Sequence, residues 1–171
     1  MVIEYIHKFV NDLGIAAYLL MHGYNVIGKT GRSIYFECEN NIEAEALEDL
    51  EFEYAPPNEF YIFDSCLMYL KKINDRDPKV PIDESIHKVV TDLGIAAYLL
   101  MLECDKDRKL DLKIIGKRGK NVYFQHPVDK GNEFKRRSYL YLSSQFQNYD
   151  SSLVGLKKID EYIPTNDFKA K

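Results

Sequence analysis

Two histidine–aspartate pairs are the first residues whose types and spacing could support chemistry. His7 lies five positions before Asp12, and His87 lies five positions before Asp92 in a second copy of the same segment. A histidine held beside a carboxylate can serve as a general base. No serine or cysteine nucleophile recurs with either pair, and a histidine on a strand beside a helix cap is a common structural arrangement. We therefore predict no catalytic residues here.

A phosphate-loop pattern runs from Gly23 to Thr30, where GYNVIGKT fits G-x-x-x-x-G-K-[ST], and the segment YIFD ending at Asp64 resembles a magnesium-site strand. A phosphate loop must leave a strand and open a helix, so that its amides and the helix N-terminus face the phosphates. This segment instead follows a predicted helix and enters a predicted strand. The second copy has Asp111 and Arg118 in place of the first glycine and the threonine. We predict no nucleotide hydrolysis and no enzyme activity.

Cysteine and histidine usage argues against a metal site. Cys38 and His126 occupy equivalent positions after YFE and YFQ, but two soft ligands fall short of the four that a closed zinc site needs. The three cysteines, which also include Cys66 and Cys104, are odd in number and widely spaced. We therefore predict reduced, buried thiols without disulfides, and no cofactor.

Basic turns beside aromatic strands form the stronger candidate site. Each copy carries a G-K-x-G turn followed by an aromatic strand, SIYFE or NVYFQ. Aromatic faces stack with bases while nearby cations hold phosphates, a combination that suits single-stranded DNA or RNA. The alternative is that one aromatic of each strand packs in the core and the lysines are solvated turn residues. The predicted nucleic-acid-binding residues are Lys29, Arg32, Tyr35, Lys117, Arg118, Lys120, Tyr123, Lys135, Arg136 and Arg137.

An acidic stretch in the first copy favours a different partner. Residues 37–59 contain nine acidic side chains and no lysine or arginine, so this stretch is unsuited to phosphates. Leu47, Leu50 and Phe52 are interleaved with the charges, which indicates an ordered acidic surface that would dock on a basic protein. The alternative is a solvated face that keeps the chain soluble. The predicted protein-interaction residues are Glu43, Glu45, Glu48, Asp49, Glu51 and Glu53.

Composition sets the class of protein. The chain has 171 residues, of which 46% are hydrophobic, enough to bury a core. No apolar run approaches the roughly 18 residues that span a bilayer, and the first residues lack the features of a secretory signal, so we predict a cytoplasmic protein without membrane contact. Through Val80 there are 14 acidic and 7 basic side chains, a net −7, whereas the remainder carries 13 acidic and 16 basic, a net +3. Acidic and basic halves of neighbouring chains could therefore meet head to tail as a homo-oligomer.

A tandem repeat organises the chain. The 16 residues from Ile6 to Met21 recur from Ile86 to Met101 with two differences. VIGKTGRSIYFE then aligns with IIGKRGKNVYFQ, and DSCLMYLKKI aligns with DSSLVGLKKI. We predict a first, acidic repeat over 1–77, a second, mildly basic repeat over 82–163, and a C-terminal tail over 164–171.

Each repeat is predicted as an α+β unit of the order βαβββα, an antiparallel sheet with two helices. The opening strands cover residues 2–9 and 86–90, and Asn11 or Thr91 would cap the helix that follows. The glycines of each G-K-x-G turn predict a tight hairpin. A fourth strand is expected where Leu50, Phe52 and Tyr54 alternate with acidic residues, and near residues 139–142 in the second repeat.

The first helix of each repeat, LGIAAYLLM, is apolar nearly all round. One face can pack on its own sheet while the other still needs cover. Gly14, Ala16 and Ala17, with their counterparts in the second repeat, would let two such helices approach closely. We expect the repeats to pack with pseudo-twofold symmetry about these helices. The closing helices should each bury one face, formed by Phe60, Phe63, Leu67 and Leu70 or by Phe146, Tyr149, Leu153 and Leu156.

The block DLGIAAYLLMHGYNVIG, followed by a basic turn, an aromatic strand and a last helix ending in LKKI, resembles small domains of bacteria and their phages. Those domains form a family of unknown function. The resemblance implies a bacterial or phage setting, and host cytoplasm if the chain is phage-encoded; it implies no activity. For function we predict a non-enzymatic protein that binds single-stranded or structured nucleic acid. The alternative is an acidic protein-interaction or host-inhibitor protein that mimics nucleic acid through residues 37–59.

Overall fold

The computed structural model describes residues 5–162, and within this range the chain is an α+β protein with six α-helices and two three-stranded antiparallel sheets. The first repeat contains β1 (Ile6–Val10), α1 (Leu13–Met21), β2 (Asn25–Thr30), β3 (Ser33–Cys38), α2 (Asn41–Glu53) and α3 (Glu59–Lys72). The second contains β4 (His87–Val90), α4 (Leu93–Glu103), β5 (Lys113–Arg118), β6 (Asn121–Gln125), α5 (Gly131–Tyr141) and α6 (Gln145–Lys158). Residues 2–4 of the predicted opening strand and the predicted tail lie outside the described residues.

The two sheets have the same strand order, β1-β3-β2 and β4-β6-β5. In each, the last strand of the hairpin lies in the centre and pairs antiparallel with both neighbours. Both hairpins turn at a glycine in the left-handed region, Gly31 with φ +59° and Gly119 with φ +57°. The predicted tight hairpins are therefore confirmed.

The described chain forms two compact units that regroup the closing helices. The first unit comprises the residues up to 61 and from 148 onward, and the second comprises residues 62–147. Most of α6 thus belongs to the unit of the first sheet, and most of α3 belongs to the unit of the second sheet. Each compact unit contains β-α-β-β-α from one repeat and most of the closing helix of the other. The expected pseudo-twofold pairing stays a prediction.

Aspartates cap the first helix of each repeat. Asp12 accepts a hydrogen bond from the amide of Ile15 at 3.1 Å, and Asp92 accepts from the amides of Gly94 and Ile95 at 2.7 and 3.2 Å. The predicted caps, one residue earlier in each repeat, were wrong. A carboxylate at the aspartate position reaches the first-turn amides and also suits the positive end of the helix dipole.

Helices α2 and α5 replace the predicted fourth strands, and that prediction was wrong in both repeats. In α2 the buried residues are Ala44 and Leu47, and Tyr54 is buried at the C-cap, so the spacing is helical and not alternating. Phe52, which alternation would have placed inside, is 89% exposed. Each repeat is therefore βαββαα.

The closing helices bury most of the predicted faces, with Phe60 and Phe146 half-buried. Phe63, Leu67 and Leu70 of α3 are buried, as are Tyr149, Leu153 and Leu156 of α6. In the first unit Phe60 packs on Tyr149 with ring centroids 5.7 Å apart. In the second, Phe63 and Phe146 lie 5.6 Å apart. These contacts complete the core of each unit.

The three cysteines are free thiols with different exposure. Cys38 is buried, as predicted, and Cys66 is half-buried. Burial, and then the neighbouring Cys104, raises the pKa of the Cys66 thiol to about 12. Cys104 itself is exposed, which differs from the expectation that all three would be buried.

Candidate nucleic-acid interface

The lysines of the two G-K-x-G turns are buried helix caps. The ammonium of Lys29 donates to the carbonyl of Leu156 at 2.7 Å and of Ile159 at 3.1 Å, at the end of α6. Lys117 does the same for α3, with Nζ 3.4 Å from the carbonyl of Ile73. Only 8% of Lys29 and 6% of Lys117 is exposed. A cation at a helix C-terminus satisfies the last carbonyls and the negative end of the dipole, which explains why both repeats carry this lysine.

Backbone pairing reinforces each cap. Lys29 exchanges two backbone hydrogen bonds with Tyr162, at 2.8 and 3.0 Å, and Lys117 exchanges two with Arg76, both at 2.9 Å. The segment after each closing helix therefore pairs with the β2–β3 or β5–β6 hairpin of the same compact unit. The two buried lysines hold the closing helices in place and do not present their charges at a free surface.

Arg118 is exposed but already paired. Its guanidinium donates to both carboxylate oxygens of Asp77 at 2.8 and 2.9 Å. These hydrogen bonds, and then the charge attraction, lower the pKa of Asp77 and raise that of Arg118. Asp75 accepts from the amide of Gly119 at 3.2 Å beside this pair. The hairpin tip of the second unit therefore carries less free positive charge than its sequence indicates.

A second pairing engages the two arginines of α5. Arg136 donates to Glu133 at 2.5 and 2.9 Å, and Arg137 donates to the same carboxylate at 3.0 Å. Hydrogen bonds from Arg136 and then from Arg137 lower the pKa of Glu133 to about 2. Arg137 also donates to the carbonyl of Arg108. The single negative charge of Glu133 thus neutralises one of the two positive charges of Arg136 and Arg137.

The remaining predicted residues divide between the two units. Arg32 and Lys120 are exposed at the hairpin tips. Tyr35 is half-buried in the first unit, where its hydroxyl lies 3.1 Å from that of Thr30. Tyr123 and Lys135, both in the second unit, line a single cavity.

A groove between β4 and α5 brings these last two residues together with others that the sequence had not singled out. Two adjoining cavities of about 380 and 340 Å³ share Lys88, Val89 and Lys135. Tyr139 lines the first and Tyr123 the second. We call this site the lysine groove; its residues are Ile82, Glu84, His87, Lys88, Val89, Val90, Thr91, Ile95, Tyr123, Phe134, Lys135, Ser138, Tyr139 and Leu142.

The lysine groove combines cations with exposed apolar surface. Tyr139 is 73% exposed, and Val89 and Leu142 are about half exposed. The ammonium of Lys88 donates to the backbone carbonyl of Glu84, which also lines the groove. Among residues 5–162, no carboxylate lies within ion-pair distance of Lys88 or Lys135.

The first unit has a different charge at the equivalent place. There Lys8, the counterpart of Lys88, forms an ion pair with Glu48 of α2. Glu48 lies six positions before buried Tyr54, just as Lys135 lies six before buried Tyr141. Lys135 therefore occupies in the second unit the position that Glu48 occupies in the first. The Lys8–Glu48 ion pair of the first unit corresponds to two lysines, Lys88 and Lys135, in the second. This substitution is visible only once α2 and α5 are recognised as equivalent helices, so sequence reasoning missed Lys88.

The six predicted protein-interaction residues all lie on helix α2 but have different surroundings. Glu43 is half-buried and caps α2, because its carboxylate accepts from the amide of Glu39 at 2.7 Å while its own amide donates to Asn40 at 2.9 Å. Burial, and then the charge of Glu48, raises the pKa of Glu51. The residues that remain exposed are Glu45, Glu48, Asp49 and Glu53.

The recurring histidines have unlike surroundings. His87 is 6% exposed and accepts a hydrogen bond from the amide of Asp83 at 2.9 Å through Nδ1, which gives it a turn-forming role. Nε2 of His7 lies 4.0 Å from a carboxylate oxygen of Glu37. The two copies therefore do not repeat one arrangement of base and carboxylate.

His126 and Cys38 are each buried within their own unit. His126 is 2% exposed and its Nδ1 lies 2.7 Å from the carbonyl oxygen of Pro127, while its Nε2 is buried without a partner among the described residues. A Cβ on Gly131 would lie 3.2 Å from the imidazole. In the first unit Cys38 corresponds to His126 and Ala44 corresponds to Gly131. The unit with the larger side chain at the first position, histidine, therefore has the smaller residue at the second, glycine.

No helix within residues 5–162 combines the length and the apolar character needed to cross a membrane.

No protein-family model matches the chain, and neither a curated protein nor a solved structure matches it significantly. The resemblance to small bacterial and phage domains therefore stays a prediction.

Proposed function

We propose that this chain is a non-enzymatic binding protein that holds single-stranded or structured nucleic acid in the lysine groove. The observation that carries the proposal is the replacement of an ion pair by two lysines. Lys88 and Lys135 line one groove, whereas their counterparts Lys8 and Glu48 neutralise each other. Two like charges on one site repel each other and disfavour the folded state, and a bound anion removes that cost.

The aromatic residues of the groove support a polynucleotide over a simple anion. Tyr139 is largely exposed on α5, and Tyr123 lines the adjoining cavity. Bases stack on such rings at about 1–3 kcal/mol each, with little dependence on sequence, while lysines hold the phosphates. Lys120 lies in the same unit and would add positive charge, as would the one net charge that Glu133 leaves on Arg136 and Arg137. Lys29 and Lys117 have no part in this proposal, because both serve as helix caps.

Fluorescence anisotropy with a labelled single strand at two salt concentrations tests the proposal. Single-stranded binding loses about 0.7 units of log affinity per unit of log salt for each phosphate neutralised. With Lys88 and Lys135 engaged, we expect a slope of about −1.4 for DNA and RNA alike. Absence of binding at low salt would remove the proposal. Binding without salt dependence would assign it to another site.

A protein-interaction role for α2 is the second candidate, and a specific observation favours it. Ile42 and Phe52 of this acidic helix are 78% and 89% exposed. A helix that docks in a groove uses exposed apolar side chains as anchors, and the carboxylates beside these two would suit a basic partner. Replacing Phe52 with serine should then abolish capture of a purified basic partner without weakening strand binding.

A further inference from the structure

Helix α2 presents a single exposed stripe. Ile42, Glu45, Asp49 and Phe52 follow one another at spacings of three, four and three residues, and all four are exposed. At 1.5 Å per residue the stripe is about 15 Å long. It has an apolar residue at each end and two carboxylates between them. A helix with this pattern is complementary to an apolar groove that carries positive charge.

The lysine groove has the complementary composition. Val89, Ile95 and Leu142 provide apolar lining, and the ammonium groups of Lys88 and Lys135 provide the positive charge. The larger cavity, of about 380 Å³, is of the size that accepts an aromatic side chain. An exposed phenylalanine and two carboxylates on one surface therefore match an apolar recess and two lysines on the other.

We infer that helix α2 of one copy binds the lysine groove of a second copy, with Phe52 in the recess and the carboxylates of Glu45 and Asp49 facing Lys88 and Lys135. This inference rests on the groove of the proposed function and adds its regulation, because α2 and a nucleic-acid strand compete for the same surface. The contact joins unlike surfaces, so a pair of bound copies still offers one free α2 helix and one free lysine groove. Association is accordingly head to tail and extends beyond a dimer as concentration rises.

Sedimentation equilibrium on the full chain, without nucleic acid, provides the test. The wild-type chain should associate at low salt and dissociate as salt rises, since the contact depends on opposite charges. Phe52→Ser should weaken association at least tenfold. Because Phe52 is almost fully exposed, its replacement should leave the fold unchanged, as checked by circular dichroism.

A charge exchange makes the test specific. One variant carries Glu45→Lys and Asp49→Lys, and the other carries Lys88→Glu and Lys135→Glu. Each alone opposes like charges across the contact and should remain monomeric. An equimolar mixture places a basic α2 against an acidic groove and should associate at a strength within about tenfold of wild type. If the doubly substituted groove fails to fold, Lys135→Glu replaces it; its groove then carries no net charge, so this variant alone should associate more weakly than wild type at low salt, and undiminished association would overturn the inference.

The outcomes separate the two proposals. A wild-type chain that stays monomeric at low salt overturns the inference, and if it still binds a strand the proposed function stands. Two folded variants that fail to associate when mixed also overturn it, whatever the wild type does. Association that resists salt or survives Phe52→Ser assigns self-contact to another surface. Association without strand binding leaves the inference standing and removes the proposed function.

Discussion

Replacing Lys135 with glutamate would give the second unit the charge arrangement of the first. Lys8 and Glu48 already form an ion pair in the first unit. Lys135 is an exposed residue of α5, so a glutamate fits without repacking. The variant should therefore fold, while the lysine groove loses its positive charge. Few substitutions are expected to preserve or raise stability and remove binding at once.

The magnitudes follow from the two lysines. A partly exposed ion pair stabilises by about 0.2–1 kcal/mol, and removing the repulsion acts in the same direction, so the free energy of unfolding should be unchanged or rise by up to about 1 kcal/mol. The affinity for a single strand should fall, although stability does not. With Lys88 paired to the new carboxylate, no net positive charge remains at the site, and the salt slope should fall from about −1.4 towards zero. We expect affinity at low salt to drop at least tenfold, about 1.4 kcal/mol.

Urea denaturation and fluorescence anisotropy on the same preparations measure both effects. Lys120→Glu is the matched control, because it makes the same change of net charge at an exposed hairpin tip of the same unit. It should weaken binding only about twofold to threefold, through the general field of the protein. Equal losses for the two variants would show that net charge and not the groove governs binding. Undiminished binding by Lys135→Glu would refute the assignment of the site.

Three stability predictions follow from packing. Gly94→Ala should lower the free energy of unfolding by about 1–3 kcal/mol, since a Cβ there would lie 2.9 Å from a ring carbon of Tyr141 in α5. Gly155→Ala has open space around it in α6 and should raise the free energy of unfolding by about 0.5–1 kcal/mol. Equal effects of the two substitutions in urea denaturation would contradict this prediction. Gly131→Ala should be neutral or destabilising in the wild type but stabilising by about 0.5–1 kcal/mol when His126 is cysteine, and a double-mutant cycle that shows no change of sign would refute the shared space. Lys117→Met should cost about 1–3 kcal/mol by removing the cap of α3, and unchanged thermal stability would show the cap to be unnecessary.

Local patterns in the sequence predicted much of each repeat. The glycines of the G-K-x-G turns specified the hairpins, because a tight two-residue turn needs positive φ. The 3.6-residue spacing of Phe63, Leu67 and Leu70 identified α3 and its buried face. In both cases the information lies within a few neighbouring residues.

The acidic helix α2 was misassigned because alternating Leu50, Phe52 and Tyr54 resemble a strand. A better signal was present nearby, since Asn40 followed three positions later by Glu43 is a helix-capping pattern. Glutamate, alanine and leucine, which dominate the segment, are also strong helix formers. The same error in the second repeat concealed the equivalence of Glu48 and Lys135, and with it the candidate site.

Other features depend on contacts between distant residues. Lys29 was predicted to bind nucleic acid at a hairpin turn, with a solvated turn residue as the alternative, yet its ammonium reaches the end of α6, 127 positions away in the chain. Which closing helix joins which sheet is set by tertiary packing, and a repeated sequence fits either assignment equally well. The pairing of Arg118 with Asp77 likewise brings together residues 41 positions apart.

Nuclear magnetic resonance titration of the ¹⁵N-labelled chain with a short single strand tests the central claim most directly. The amides of β4 and α5 that border the groove, above all those of Lys88, Lys135 and Tyr139, should shift first and saturate together, and added salt should reverse the shifts. Shifts confined to α2 or to the residues around Arg32, with the groove amides unmoved, or an unchanged spectrum at low salt, would contradict the claim that the lysine groove binds nucleic acid.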